Sequence, residues 1–455
     1  ATRARIAAHF AAPGAGGAGP WPTPGAALPV VLVGSHLGSN MEPLSLVTAV
    51  ARLSDVEVRA TVYGTRYPWP ELLCQLFGHC AANGHIDEAV GLLVRQMYRP
   101  VWEFAELLRE LHEGMRSDGA FQEMELLVCA QPMAICAMMR GLTDKPMLVY
   151  QAFPLVGATP AALSHALLLN FREMARHPRS TAFVAYSEFL AQQFAFQVGH
   201  QPLCIRPHSL YATSYGNLLY FPDRESPRIF VSRMAGWARD GAHAMVYLLE
   251  YFAERELGAE SGLRFVFLGV VREPSALVAG VAQPFGYAEL RRFRAAVYFP
   301  WDMGMLLFSE LYSIGVPLLV PGRAWMASII KRMLEYTDFG WWQARAETAA
   351  ALPGAGGAAQ GGPSWWPWLD ANSTVGEILA LYDLTDFVRW PYVEAFDSLP
   401  ALMRAVRGAD FDKCSEDMRR WNEASLQRSL GIASRALAAL LGGPAGAPRA
   451  ESSCL

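Results

Sequence analysis

The chain contains no Cys-x-x-Cys pair, and its seven cysteines, Cys74, Cys80, Cys129, Cys136, Cys204, Cys414 and Cys454, fall at irregular spacings. That spacing indicates neither a zinc site nor a disulfide framework. The cysteines inside apolar runs, as in Val128-Cys129 and Ile135-Cys136, read as small hydrophobes. No uncharged apolar run reaches the roughly 18 residues a membrane-spanning helix needs. A large excess of charge of one sign is also missing. With 38 Lys and Arg against 42 Asp and Glu, the formal net charge is −4. No block of cations collects to neutralise nucleic-acid phosphates, so nucleic acid is not an expected partner. There is no His-Glu-x-x-His, no Asp-x-Asp in a loop after a strand, no EF-hand loop, no Gly-x-Ser-x-Gly elbow and no Walker A sequence. Those absences weaken metal-dependent, serine-hydrolase and NTPase readings.

What is present describes a folded chain. Apolar residues make up 52% of the 455 and charged ones 18%, the opposite of a disordered composition. The length predicts two or three domains. Residues 1–27 are rich in Ala, Gly and Pro with early arginines, and read as a flexible segment or the remnant of a targeting peptide. Residues 349–363 form a low-complexity loop, and 442–455 read as a disordered tail. Asn372-Ser373-Thr374 fits a glycosylation sequon. Localisation stays open.

Pro29-Val30-Val31-Leu32-Val33-Gly34 reads as a buried parallel strand. A small-residue turn follows, Gly34-Ser35-His36-Leu37-Gly38-Ser39-Asn40, then a helix with Leu44, Val47, Val50 and Ala51 on one face, then the alternating strand Val56, Val58, Ala60, Val62. This is one βαβ unit. Helical periodicity runs over 84–116, and buried strands are predicted at 126–129, 147–150, 181–186 and 203–207, with helices at 132–140 and 160–177 between them. Ser187 is the expected N-cap of the next helix. The polar, proline-bracketed stretch 220–227 reads as a linker, after which the pattern restarts. Strands are predicted at 229–232, 263–269, 295–299 and 316–320, with helices at 241–256, 287–293 and 303–313. A helical end at 410–441 offers Met418, Trp421, Leu426, Leu430 and Leu437 as core contacts.

The expected fold is therefore α/β, with two doubly wound Rossmann-like domains and a C-terminal helical extension. The predicted boundaries are 28–222, 223–400 and 401–441.

The stretch richest in chemistry runs from Phe299 to Pro317: a strand ends at Pro300, a loop carries Asp302 and Gly304, and Glu310 sits in the apolar helix that follows, before Ser313-Ile314-Gly315-Val316-Pro317. A carboxylate at the carboxyl edge of such a sheet can accept hydrogen bonds from two ribose hydroxyls. On local physics alone, Asp302 also suits a helix N-terminus and Glu310 a buried, satisfied core position.

Glu310 through Pro317 resembles the second half of the Glu-x7-Glu, Ala/Ser-x-Gly-x-Pro mark of the retaining GT-B glycosyltransferases (glycosyl transferases group 1, the family-four and family-one-like group). Asp302 stands at the first acidic position. The family's first C-terminal strand, with its Gly-Arg and Lys-Gly, is similar to Phe230 through Gly241: Arg233 falls on the Arg, and Arg239 lies one residue beyond the Lys position, which is Ala238. The glycine-rich turn at Gly34 and Gly38 resembles the donor-facing first loop, and Phe183 through Leu190 resembles a late strand-to-helix step. The resemblance covers residues 29–325.

It implies a GT-B pair of domains facing across a cleft, and transfer of a sugar from a nucleotide-diphosphate sugar (a UDP-sugar or GDP-sugar) with retention of configuration and no bound metal or other cofactor. Glu310 would hold the ribose, beside the turn residues Ser313 and Gly315, with Asp302 near the donor sugar. Arg233 and Arg239 would neutralise the leaving diphosphate, and Gly34, His36 and Gly38 would face the donor. The acceptor would be a glycan, a protein or a small molecule. Many family members carry a His just after the fourth strand, where this chain reads Val149-Tyr150-Gln151-Ala152-Phe153. The alternative reading is therefore a catalytically inactive GT-B-like scaffold that binds a glycan or a protein.

Overall fold

A computed structural model describes residues 25–34, 37–64, 101–156, 161–225, 227–232, 239–258, 262–267, 286–300, 303–336 and 373–442. The segments predicted to be flexible (1–24 of the N-terminal stretch), low in complexity (349–363) or disordered (443–455) lie outside the described residues, as do Asn372 and residues 84–100 of the predicted helix.

Two compact units emerge. Among the described residues, one holds the chain up to Tyr211 and again from Ser425. The other holds Ala212 to 336 and 373 to Ala424.

The first unit runs β1 (Ala27–Val33), α1 (Leu37–Leu53), β2 (Glu57–Tyr63), α2 (Val101–Ser117), α3 (Gly119–Glu123), β3 (Leu126–Cys129), α4 (Met133–Arg140), β4 (Met147–Gln151), α5 (Ala161–Ala175), β5 (Thr181–Ala185), α6 (Glu188–Val198) and β6 (Leu203–Cys204). Its strands form a six-stranded sheet among the described residues, in the order β2-β1-β3-β4-β5-β6. Each pairing is parallel; Val30, for example, sits opposite both Ala60 and Leu126. β3, β4 and β5 are buried at every position, which is why they read as unbroken apolar runs: both faces are covered. Val31, Val33, Leu127, Val149 and Phe183 build one core with Met133, Ile135, Leu168, Phe171 and Phe194 from the helices. Ser187 caps α6 as expected, its Oγ accepting from Leu190 N at 3.3 Å.

One expectation fails here. Cys129 and Cys136 are joined by a disulfide with Cα atoms 5.5 Å apart, and Cys204 is disulfide-bonded as well. The spacing matches no metal or redox motif. The pair arises because the strand ending at Cys129 turns straight into α4, which brings the seventh residue along back over the strand end.

A π-helical turn (Tyr211–Tyr215) leads from the first unit into the second. The second unit continues through β7 (Arg228–Val231), α7 (Arg239–Leu257), β8 (Arg264–Phe267), α8 (Tyr287–Leu290), β9 (Ala295–Val297), α9 (Leu306–Ile314), β10 (Leu318–Pro321), α10 (Arg323–Tyr336), α11 (Val375–Tyr382), α12 (Asp386–Arg389), β11 (Val393–Phe396), α13 (Leu399–Gly408) and α14 (Phe411–Leu440). The five-stranded sheet of the described residues, in the order β11-β10-β9-β7-β8, is also parallel. The two sheets share one winding: the second strand lies on one side of the first and all later strands on the other. Both units are thus doubly wound α/β sheets, and each has a switch point between its first and third strands, where open α/β sheets bind ligands. The division between units falls inside α14. Met418, Leu430 and Leu437 of that helix are buried as expected, while Trp421 and Leu426 are only half-buried.

Candidate functional site

In the second unit the switch point lies between β7 and β9. Ser232, just past β7, donates its N–H to Val297 O at 2.9 Å, and its Oγ accepts from Phe299 N at 2.9 Å. The carboxyl ends of the two strands are thus tied together beyond the ladder. The chain leaving β9 then reaches α9, whose N-cap is Met305, a residue that offers the first N–H groups no side-chain oxygen.

Aromatic packing sets the rotation of α9. Phe308 and Tyr312, one turn apart, meet Phe387 and Trp390 with ring centroids 4.8 Å apart in each case. The Tyr312 hydroxyl donates to Pro391 O at 2.8 Å, and Asn422 Nδ2 donates to Tyr312 O at 3.1 Å. Glu310 lies about 200° around the helix from Phe308, given 3.6 residues per turn. It is therefore held on the opposite side, with only 7% of its surface exposed, and Oε1 accepts from the Tyr287 hydroxyl at 2.8 Å. A carboxylate taken out of water needs such donors, since burial without them is costly.

Ser313 lies three residues further along the helix, buried, with no hydrogen-bond partner for Oγ among the described residues. Gly315 serves the backbone. It ends α9 in the left-handed region at φ +90, its N–H returning to Leu311 O at 3.1 Å. A Cβ there would sit 3.0 Å from Ser415 Oγ. Gly315→Ala is expected to lower stability by about 1–2 kcal/mol, the left-handed penalty for a residue with a Cβ, with the tight contact adding to it. Urea unfolding of the variant checks this.

Arg239 begins α7, and its side chain lies outside the described residues. Asp302, Arg233 and His36 lie outside them entirely. Of the residues predicted for the donor side, the described structure therefore brings Glu310 and Ser313 together on one helix, ended by Gly315.

In the first unit, Gly34 follows β1, and Asn40 Nδ2 donates to its carbonyl at 2.9 Å. A Cβ on Gly34 would overlap the Asn40 side chain, so the glycine permits this close return. Gly38 is not in a loop: it is buried in the first turn of α1. Small residues that read as a turn are instead helical, because Asn40 folds back on Gly34 and fixes the helix start. Gln151, at the end of β4, is 1% exposed, and neither carboxamide atom has a hydrogen-bond partner among the described residues.

Glu42, in α1, is 3% exposed. Its Oε1 accepts from His208 N at 2.7 Å and its Oε2 from Ser209 N at 2.9 Å. His208 Nε2 lies 2.8 Å from Ser429 Oγ, and Arg206 donates to Ser425 Oγ at 3.1 Å. Burial, with the nearby Arg206 charge adding to it, holds the His208 pKa well below its usual 6.5. The unfolded chain therefore takes up a proton below pH 6.5 that the native chain refuses. Stability is full above that pH and falls as the pH drops, by up to about 1.4 kcal/mol per pH unit, until the native pKa is reached. His208→Gln is expected to remove this slope. Urea unfolding at about pH 7.5 and pH 5.5 on both proteins measures it, and equal slopes would contradict the assignment.

Sequence reasoning read Tyr287 only as the start of a helix and missed its contact with Glu310, because a bond across 23 positions leaves no periodic signal. The role of Glu42 had one available signal, a lone carboxylate in an otherwise apolar helix. Among the described residues, no three His, Cys, Asp or Glu side chains cluster as metal ligands would, and no helix is long and apolar enough to cross a membrane.

No family model and no curated protein matches the sequence. Among solved structures, the chain is similar to the glycosyltransferase SnogD from Streptomyces nogalater, at 14% identity over 91% of this chain and 99% of that one, with a TM-score of 0.39. It is similar to the glycosyltransferase VinC in complex with dTDP, at 11% identity over 90% and 99%, with a TM-score of 0.39. It is also similar to Phytolacca americana UGT2 complexed with UDP-2-fluoro-glucose and pterostilbene, at 12% identity over 88% and 94%, with a TM-score of 0.36. The fold assignment rests on the strand order and pairing described above, not on these likenesses.

Proposed function

We propose that the protein is a glycosyltransferase that takes a sugar from a nucleotide-diphosphate sugar and passes it to a glycan, protein or small-molecule acceptor. The observation that carries the reading is Glu310: a buried carboxylate on the helix that leaves the switch point of the second sheet, inside the Glu310-to-Pro317 sequence that resembles the family mark. A ribose brings two hydroxyl donors, and an ionised carboxylate accepts both. Arg233 and Arg239 are the proposed partners of the diphosphate. Negative charge builds there as the sugar leaves, and fixed cations lower the energy of that state. Asp302 is assigned to the donor-sugar side. Retention of configuration and independence of bound metal complete the proposal, the first to be read from the anomer of the product.

The direct test is thermal unfolding with UDP, GDP and dTDP, the last being the nucleotide named for VinC. A ligand at a hundred times its Kd adds about 2.7 kcal/mol of stability, readily seen as a higher melting temperature. A shift with one base supports the transferase. No shift with any of the three removes that reading and leaves the non-catalytic scaffold, which the lack of a His in the Val149-to-Phe153 stretch at the end of β4 also favours.

A further inference from the structure

Tyr287 opens α8, eight residues before β9, and its hydroxyl is the donor that meets Glu310 Oε1 at 2.8 Å. The ring is half-buried, whereas the carboxylate is almost fully enclosed. The chemistry of this donor matters. An Arg or Lys in the same place would neutralise Glu310, but a phenol leaves the negative charge intact and only fixes its direction. A carboxylate has about four lone-pair positions, and the phenol takes one of them. Glutamate has three rotatable side-chain bonds, and ordering them at the moment of binding weakens affinity; a bond already formed in the free protein removes that cost.

We propose that Tyr287 is a positioning residue for the ribose contact. It holds the Glu310 carboxylate in the orientation that accepts the sugar hydroxyls of a nucleoside diphosphate. The inference rests on the reading of Glu310 given above, and the test separates the two. Titration calorimetry with UDP, GDP and dTDP is carried out on the wild type, Tyr287→Phe, Glu310→Gln and the double variant. Removing one hydroxyl leaves the ring packing in place, and unfolding without nucleotide reports any folding defect.

The expected result is about a tenfold weaker Kd in Tyr287→Phe, the loss of one hydrogen bond to a charged group. In the Glu310→Gln background the same change is expected to have almost no effect, because Tyr287 acts through Glu310 and the two losses do not add. Equal losses in both backgrounds overturn the proposal. Wild-type affinity in Tyr287→Phe alongside weak binding by Glu310→Gln overturns it too, and leaves the nucleotide reading standing. If the wild type binds none of the three, or Glu310→Gln binds as well as wild type, the nucleotide reading falls and the inference with it.

Discussion

Replacing Glu42 by alanine is expected to lower stability by about 3–5 kcal/mol, because it strips two buried backbone N–H groups of their acceptor at once. Those groups belong to His208 and Ser209, and both oxygens of the carboxylate are engaged, at 2.7 and 2.9 Å. Ser209 holds a positive φ of 44, a conformation that needs outside support in a residue with a side chain. Glu42→Gln is expected to fall in between, since its amide keeps one acceptor and points a donor at the other N–H. Urea unfolding measures the loss, and hydrogen exchange at 205–209 locates it. A loss under about 1 kcal/mol would mean that the carboxylate is replaceable there.

The second large effect concerns affinity. Glu310→Ala is expected to weaken nucleoside diphosphate binding by about a hundredfold or more, or roughly 2.7 kcal/mol, as two charge-assisted hydrogen bonds to the ribose disappear. Its cost to the free protein is smaller. The aromatic packing that orients α9 uses Phe308 and Tyr312 on the far side of the helix, and the Tyr287 hydroxyl loses its partner. The signature is therefore a variant that folds and melts much like wild type but no longer gains stability from nucleotide. A variant that unfolds in the absence of ligand would instead make Glu310 a core residue first.

Much of the fold was legible in the sequence, for a physical reason. A strand buried on both faces has to be apolar throughout, so runs such as Leu126-Leu127-Val128-Cys129 announce themselves, and doubly wound sheets are made of such runs. β11 (Val393–Phe396) went unread because it is an edge strand: Glu394 and Ala395 are exposed and only Phe396 is buried. The Cys129–Cys136 pairing was hidden because it depends on how a strand end turns into a helix, not on any spacing rule. Gly38 read as loop because small residues favour turns, whereas the deciding contact is the Asn40 side chain returning to Gly34. At the site, Glu310 was visible as a charge in an apolar helix, while Tyr287 comes to it from 23 positions upstream by tertiary folding alone.

The central claim is that a nucleotide binds at the switch point of the second sheet through Glu310. Hydrogen–deuterium exchange with and without the nucleotide that gives the largest melting shift tests it most directly. The account predicts slower exchange in residues 286–300 and 303–315, lost in Glu310→Ala. Protection confined to the first unit, or protection of these segments that survives in Glu310→Ala, would contradict it.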